Sequence, residues 1–268
     1  MRPPQARFED GHRVHFKRTV FVPGTRIALL SRPTKLPGPS WSLPAGPACP
    51  FRRNGPNTIC GSCYADDVGR YSQAQIKRAQ WARFDWTREC LRTAEGTATF
   101  VQTMVEAIDA TGYVYMRVHD SGDLFSAAYT RAWIRICESL GWVRFWFPTR
   151  SWQAPWVDVI RELATLHNVT VRPSAIHFDD PPPQIDGLAA GTTVKAFGYT
   201  CPAPHQNNAC GDCRRCWVAK SWPISYHARI VAMSAFSGAV TEGTKSPLFC
   251  ASHLNLQQII NRLDADDL

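Results

Sequence analysis

The sequence has no apolar run approaching the ~20 residues that a membrane-spanning helix needs, which excludes a helical membrane protein. Its first residues, Met-Arg-Pro-Pro-Gln-Ala-Arg-Phe-Glu-Asp, lack the apolar stretch of a secretory signal. The expectation is a cytoplasmic protein. Basic residues form no run of five or more, so no polycationic tail dominates the charge. Cysteine is the exception to this plainness. The chain carries 10 of them, clustered, and without an export signal clustered cysteines read as metal ligands rather than a disulfide framework.

At 268 residues and 44% apolar content the chain can bury a sizeable core, in one large domain or one domain with a small appendage. Its net charge of +8 favours an anionic partner, of which nucleic acid is the commonest.

The densest chemistry lies between Cys201 and Cys216, where Cys210, Cys213 and Cys216 follow one another at Cys-x2-Cys-x2-Cys spacing with Gly211 easing the turn. Thiols so close cannot all pair as disulfides without strain, but their thiolates can converge on one metal. The spacing matches iron–sulfur ligation better than the two separated hooks of structural zinc, which stays as the alternative. His205, inside the same loop, is a candidate replacement ligand. A second group, Cys49, Cys60 and Cys63, supplies three thiols. Three protein ligands suggest a centre with an open position, as catalytic sites have. The other reading takes a fourth ligand from Cys90, Cys137, Cys250 or a histidine.

Along the chain, residues 1–22 read as an arm, 23–198 as an α/β core with a Cys-rich loop, and 199–268 as a metal-cluster region. A first strand is expected over Thr25–Ser31, then an irregular Pro- and Gly-rich loop from Arg32 to Cys60. Apolar spacing predicts helices over Gln73–Leu91, Thr97–Ala110, Ala127–Leu140 and Pro155–His167, with Cys90 and Cys137 buried within them. Strands are expected at Tyr113–His119, Trp142–Phe147, Asn168–Arg172 and Thr192–Phe197. This alternation, with five or six strands, predicts a partial (open) parallel β/α barrel with a Cys-rich C-terminal extension.

In such sheets ligands bind beyond the carboxyl ends of the strands. That rule places His119, Asp120, Ser121, Asp123, Arg150 and Arg172 on one rim around the metal. Each has a plainer alternative. Asp120 and Ser121 are also good caps for the helix that follows, His119 is a candidate core residue, and Arg150 and Arg172 are candidate solvated rim charges. His227, after a short strand, reads as a proton donor or as a buried structural histidine.

Four segments in this order are together distinctive: Leu43-Pro-Ala-Gly-Pro-Ala-Cys-Pro, Cys60-Gly-Ser-Cys-Tyr-Ala, Val118-His-Asp-Ser-Gly-Asp and Cys201–Trp217. Over residues 30–230 they make the chain resemble a phage and plasmid family named gene product eighty-eight. Through the Cys-x2-Cys-Tyr-Ala turn it is also distantly similar to radical SAM enzymes. That second likeness implies a four-iron four-sulfur cluster on Cys49, Cys60 and Cys63, whose open iron chelates S-adenosylmethionine for cleavage to a 5′-deoxyadenosyl radical. It implies that Ser121, Gly122 and Asp123 hold the methionine amino group, with Tyr64 and Arg172 completing the cofactor set. It further implies an auxiliary cluster on Cys201, Cys210, Cys213 and Cys216, while the strand-end rule and the place of His227 give His119, Asp120, Asp123, Arg150 and His227 as the catalytic candidates.

The expected function is modification of a nucleic acid or nucleotide in the cytoplasm of a bacterial host, served by an electron donor. Phosphate contacts would come from Arg52, Arg53, Arg214 and Arg215. The alternative function is a metal-stabilised nucleic-acid-binding protein, with zinc or iron–sulfur and no catalysis.

Overall fold

A computed structural model describes residues 16–66, 69–195 and 197–226, all within one compact unit, Met1–His227. Four parallel strands form its main sheet, in spatial order β1 (Ser40–Trp41), β2 (Tyr115–Val118), β3 (Arg144–Thr149) and β4 (Val169–Pro173). The helices are α1 (Ala74–Cys90), α2 (Ala94–Asp109), α3 (Ala127–Ser139) and α4 (Val157–Thr165). Crossovers through α3 and α4 join β2 to β3 and β3 to β4, as parallel pairing requires. A smaller parallel sheet, in order β5-β7-β6, is built from β5 (Thr192–Thr193), β6 (Tyr199–Thr200) and β7 (Ile224–Ser225). A short helix, α5 (Arg215–Val218), precedes β7. The fold is thus mixed α/β on a four-stranded parallel sheet, and the described strands do not close into a barrel. Among the described residues no helix is long and apolar enough to cross a membrane.

Two expectations about the N-terminal part change. Thr25–Ser31 does not form a strand; it makes only isolated bridges, Phe21 with Ala28 and Ser31 with Ser40. The strand lies instead inside the expected loop, where Ser40 and Trp41 pair with Arg117 and Val118. Gly38 permits that approach, because a Cβ there would sit 1.9 Å from the carbonyl oxygen of Tyr115. Helix α2 starts at Ala94 rather than Thr97, since the Thr93 side chain caps it by accepting from the Gly96 amide at 2.9 Å. Strand β3 lies two residues later than its apolar run suggests, and β4 one residue later.

Alternation along the strands sorts the side chains onto two faces. Met116, Val118, Phe145, Phe147, Val169 and Val171 join the helix-side core with Trp41, Phe100, Tyr129 and Trp133. Cys90 and Cys137 are buried in that same core, as their helical spacing predicts. The opposite face carries Tyr115, Arg117, Trp146, Thr170 and Arg172, and the Cys-rich segment packs over it. Trp217 contacts the rings of Tyr115 and Trp146 and donates its indole N–H to the Met116 carbonyl at 2.8 Å, while Thr170 donates to the Trp217 carbonyl at 2.6 Å. One face of the sheet therefore builds the core, and the other meets the cysteines.

Candidate metal centres and the Asp120–Asp123 turn

The turn after β2 is held from several sides. Its backbone docks on the preceding loop: the Asp120 amide donates to Trp41 at 2.8 Å, Leu43 to Ser121 at 2.9 Å, and Asp123 to Ala48 at 2.7 Å. Gly122 has φ +88°, and a Cβ there would lie 2.7 Å from the Leu43 Cβ, so a side chain would push the loop away. The buried Asp123 carboxylate accepts from the Thr149 hydroxyl at 2.5 Å, the Leu124 amide at 2.7 Å and the Arg150 amide at 2.8 Å. Burial raises its pKa, and those three bonds work against the rise. Asp120 accepts from the Tyr71 hydroxyl at 2.9 Å and pairs with Arg117 at 3.6 Å. Beside it lies a cavity of about 180 Å³ lined by Ser31, Ser42, Tyr71, Arg83 and others. The Ser121 hydroxyl is buried with no hydrogen-bond partner among the described residues.

The first thiol group sits in the loop docked on this turn. Short backbone bonds fold it: Cys49 to Gly46 at 2.9 Å, Arg52 to Cys49 at 3.0 Å, Gly61 to Thr58 at 3.1 Å, and Asp66 to Cys63 at 3.1 Å. Cys49, Cys60 and Cys63 are all free. Burial pushes the Cys49 thiol up to about 12, with Asp123 the next largest cause and Cys63 and Cys60 behind it. Burial likewise raises Cys63, while Arg52 pulls it down. Arg52 is ion-paired with Asp66.

The second group sits against the opposite face of the sheet. Cys201 is fastened by its amide to Ser225 at 2.8 Å, Cys210 to Lys35 at 2.9 Å, and Cys213 to Cys210 at 3.0 Å. Two tyrosines touch the sulfurs: Tyr199 lies 3.5 Å from Cys213 Sγ and Tyr226 lies 3.3 Å from Cys216 Sγ. Cys216 is pushed up to about 12 by burial, against the lowering effects of Tyr226 and Arg172. Its thiol is within electrostatic reach of Cys210 and Cys201, and that of Cys210 is within reach of Cys201 and Cys213.

Among the described residues no three His, Cys, Asp or Glu side chains converge closely enough to hold a metal ion. Each thiol group is nonetheless gathered, free and mutually interacting. Thiolate is the donor that zinc and iron–sulfur centres use, so by residue type both groups fit such a centre.

A continuous set of contacts runs from one group to the other. Tyr64, next to Cys63, lies 3.2 Å from Arg117; the Arg117 guanidinium is 4.7 Å from the centre of the Trp146 ring; Trp146 and Tyr226 stack at 6.5 Å. Tyr226 then reaches Cys216. Burial alone would lower the pKa of Arg117, but Tyr64 and Asp120 raise it above its ordinary range.

Not every expected site residue lies here. His119 turns into the helix-side core: its Nε2 is 2.9 Å from the Tyr129 hydroxyl, which accepts the Trp41 indole N–H at 2.7 Å. Burial, then Arg117, lowers its pKa to about 3, so it is neutral at ordinary pH. Its φ of +73° is what turns the chain from strand into turn. Asp120 and Ser121 do not cap α3; Ser126 does, accepting from the Tyr129 amide at 3.2 Å. Arg150 is not a free rim charge, because its Nε donates to the Ala175 carbonyl at 3.1 Å.

Arg172 departs furthest from its expected cofactor role. Fully buried, it directs its guanidinium N–H groups to five carbonyls, those of Cys216, Ala190, Trp222, Arg215 and Ala219. Burial lowers its pKa. It fastens the Cys-rich segment to β4. Tyr64 does reach the turn, donating to the Asp120 carbonyl at 2.6 Å. His205 is exposed, in the turn Ala203–His205. His227 and Cys250 lie outside the described residues.

Arg117, Tyr71, Thr149 and Tyr226 were missed in the sequence. Only Arg117 had a signal, as a cation flanked by Met116 and Val118 in an otherwise apolar strand. Tyr71 and Thr149 have partners remote in sequence, Thr149 being 26 residues from Asp123.

Neither a curated protein nor a solved structure matches the chain. The family model described as Gene product 88 matches residues 23–196. The match takes in Cys49, Cys60, Cys63, the main sheet and the Asp120–Asp123 turn, and ends before Cys201 rather than continuing to residue 230. By this match, across well over half its length, the chain belongs to the Gene product 88 family.

Proposed function

We propose that this protein is an iron–sulfur enzyme of radical-SAM-like architecture, acting on a nucleic acid or nucleotide. The observation that carries the reading is the docking of the first thiol group on the turn at the carboxyl end of β2, where parallel α/β sheets place their ligands. Support for a partial barrel comes from Ser174, which extends β4 and bridges Thr192 of β5 in parallel, so that parallel strands run on from one sheet to the next.

Cys49, Cys60 and Cys63 would hold the first cluster, and Cys201, Cys210, Cys213 and Cys216 the second. When bound, a four-iron cluster with S-adenosylmethionine supplies one-electron cleavage of the sulfonium bond. The chain's own residues do the rest by position. Asp120, beside the cavity, offers a carboxylate to a cationic group of a ligand, with Tyr71 fixing its orientation. Ser121 offers an uncommitted hydroxyl. Asp123, locked by Thr149 and two amides, keeps the turn in shape beside Cys49. The loop from Leu43 to Ala48 covers this turn and keeps water from it.

A second reading is favoured by one observation. The Cys201–Cys216 segment, bolted down by Arg172 and packed on Trp146 through Trp217, is built like a structural metal site. Zinc there would stabilise a nucleic-acid-binding protein without chemistry of its own.

Iron, sulfide and zinc content, measured on protein purified without oxygen, tests both readings, with electron spin resonance before and after adding S-adenosylmethionine. About eight irons with matching sulfide, and a spectrum that shifts with the additive, are expected of the enzyme. Zinc without sulfide would overturn that reading and leave the binding protein.

A further inference from the structure

The smaller sheet carries a group of exposed rings that nothing in the core explains. Phe197 is 48% exposed, Trp222 is 62% exposed and Val218 is 52% exposed. The two residues lie on neighbouring stretches of chain, because Tyr199 is the register partner of Ile224 and both Phe197 and Trp222 precede that pair by two residues. The approach is close: a Cβ on Gly198 would lie 3.2 Å from Pro223. Phe197 is also pinned, its amide donating to the Ser225 hydroxyl at 2.8 Å and its carbonyl accepting from the same group. These rings are therefore held on a rigid edge.

One cation is placed against an aromatic ring of this sheet. The Arg215 guanidinium lies 4.1 Å from the centre of the Tyr199 ring. From Lys195 to Tyr226 the chain carries Lys195, Arg214, Arg215 and Lys220 against one acid, Asp212. Two further acids, Asp179 and Asp180, meet Lys195 and Thr193 on the β5 side, whereas Phe197 leads into β6 at the opposite edge. Exposed π-faces beside a guanidinium group fit a partner that offers flat rings and phosphates together. An acidic peptide would use the cations and leave the rings unused, and a duplex keeps its base faces stacked inside. Single-stranded nucleic acid uses both.

We infer that Phe197, Tyr199, Arg215 and Trp222 form a docking surface for single-stranded nucleic acid. The inference rests on the nucleic-acid half of the proposed function and is independent of the metal chemistry. Bases stack on Phe197 and Trp222, and phosphates lie along Arg215. Because Arg215 opens α5 and Cys216 follows it, the strand is held next to the second thiol group.

The test is fluorescence anisotropy of the full chain with a dye-labelled oligothymidylate of about twelve nucleotides at several salt concentrations. Binding that weakens with salt is expected, at least about five-fold weaker in Trp222→Ala or Phe197→Ala and restored in Trp222→Phe. Melting curves equal to the parent's certify the folding of each variant. In the unsubstituted protein, the oligonucleotide should shield Trp222 from oxidation. Binding that is indifferent to both alanine variants and leaves Trp222 reactive overturns the surface and spares the broader reading. An unsubstituted protein that binds no oligonucleotide at low salt overturns both.

Discussion

The two cysteine groups meet the sheet in opposite ways. Cys49, Cys60 and Cys63 sit in a loop docked on the turn after β2, coupled to it by backbone hydrogen bonds and by a glycine that lets the two segments touch. Cys201, Cys210, Cys213 and Cys216 sit in a segment laid over a face of the sheet, where Trp217 and Thr170 hold it and the buried Arg172 gathers five carbonyls in and around it. The first lies within the Gene product 88 match and the second beyond it. A loop held through its backbone depends on the shape of its neighbour. A segment whose carbonyls converge on one side chain leans most on that residue.

The largest effect should therefore come from Arg172→Leu. Five carbonyls lose their donor in a buried place, a cost of about 3–5 kcal/mol or more. Calorimetry should show a much lower melting temperature, and metal analysis a second group that no longer loads. Parental melting would show that the segment is held by something else.

Thiol replacement tests whether the groups are separate. Cys213→Ala should empty the second group and destabilise the fold while the first group keeps its metal; Cys63→Ala should do the reverse at the first group and abolish turnover. Metal counts on both variants decide it, and equal losses in each would mean that the contacts through Tyr64, Arg117, Trp146 and Tyr226 bind the two into one unit.

Thr149→Val probes the first group's dependence on the turn. It removes a hydrogen bond to the buried Asp123, at about 1.5–3 kcal/mol, without touching a cysteine. Chemical denaturation should register that loss, and metal should fall at the first group alone. An unchanged first group would mean that the turn does not set its geometry.

The last effect concerns pH, and it is small close to neutrality. His119 has a folded pKa of about 3, below its ordinary 6.5, so the unfolded chain binds a proton that the folded chain refuses. Its contribution to stability is complete above pH 6.5 and is lost as the pH falls toward 3, at up to about 1.4 kcal/mol per pH unit. His119→Asn suits the left-handed backbone and removes the titration. Melting curves from pH 7 to pH 5 should fall less steeply in this variant. Equal slopes would place the titrating group elsewhere.

Much of the frame was legible without coordinates. The four helices follow from apolar spacing, and β2, β3 and β4 from dense runs of β-branched and aromatic residues, because burial of one face imposes its own period. Both thiol groups stand out by spacing alone. β1 was hidden because two residues in a Pro- and Gly-rich loop carry no period; only the edge of β2 makes Ser40–Trp41 a strand.

The sequence by itself determined the four helices, the strands β2 to β4 and the spacing of the thiols, since these depend on neighbours along the chain. Tertiary structure decided what the polar residues do. His119 and Asp120 are adjacent, yet the left-handed backbone at His119 turns one into the core and leaves the other beside a cavity. Arg172 reads as a rim cation until the Cys-rich segment folds back and presents five carbonyls to it. A hydrogen bond is settled by distance and direction, and for partners far apart in the chain only the packed fold supplies either.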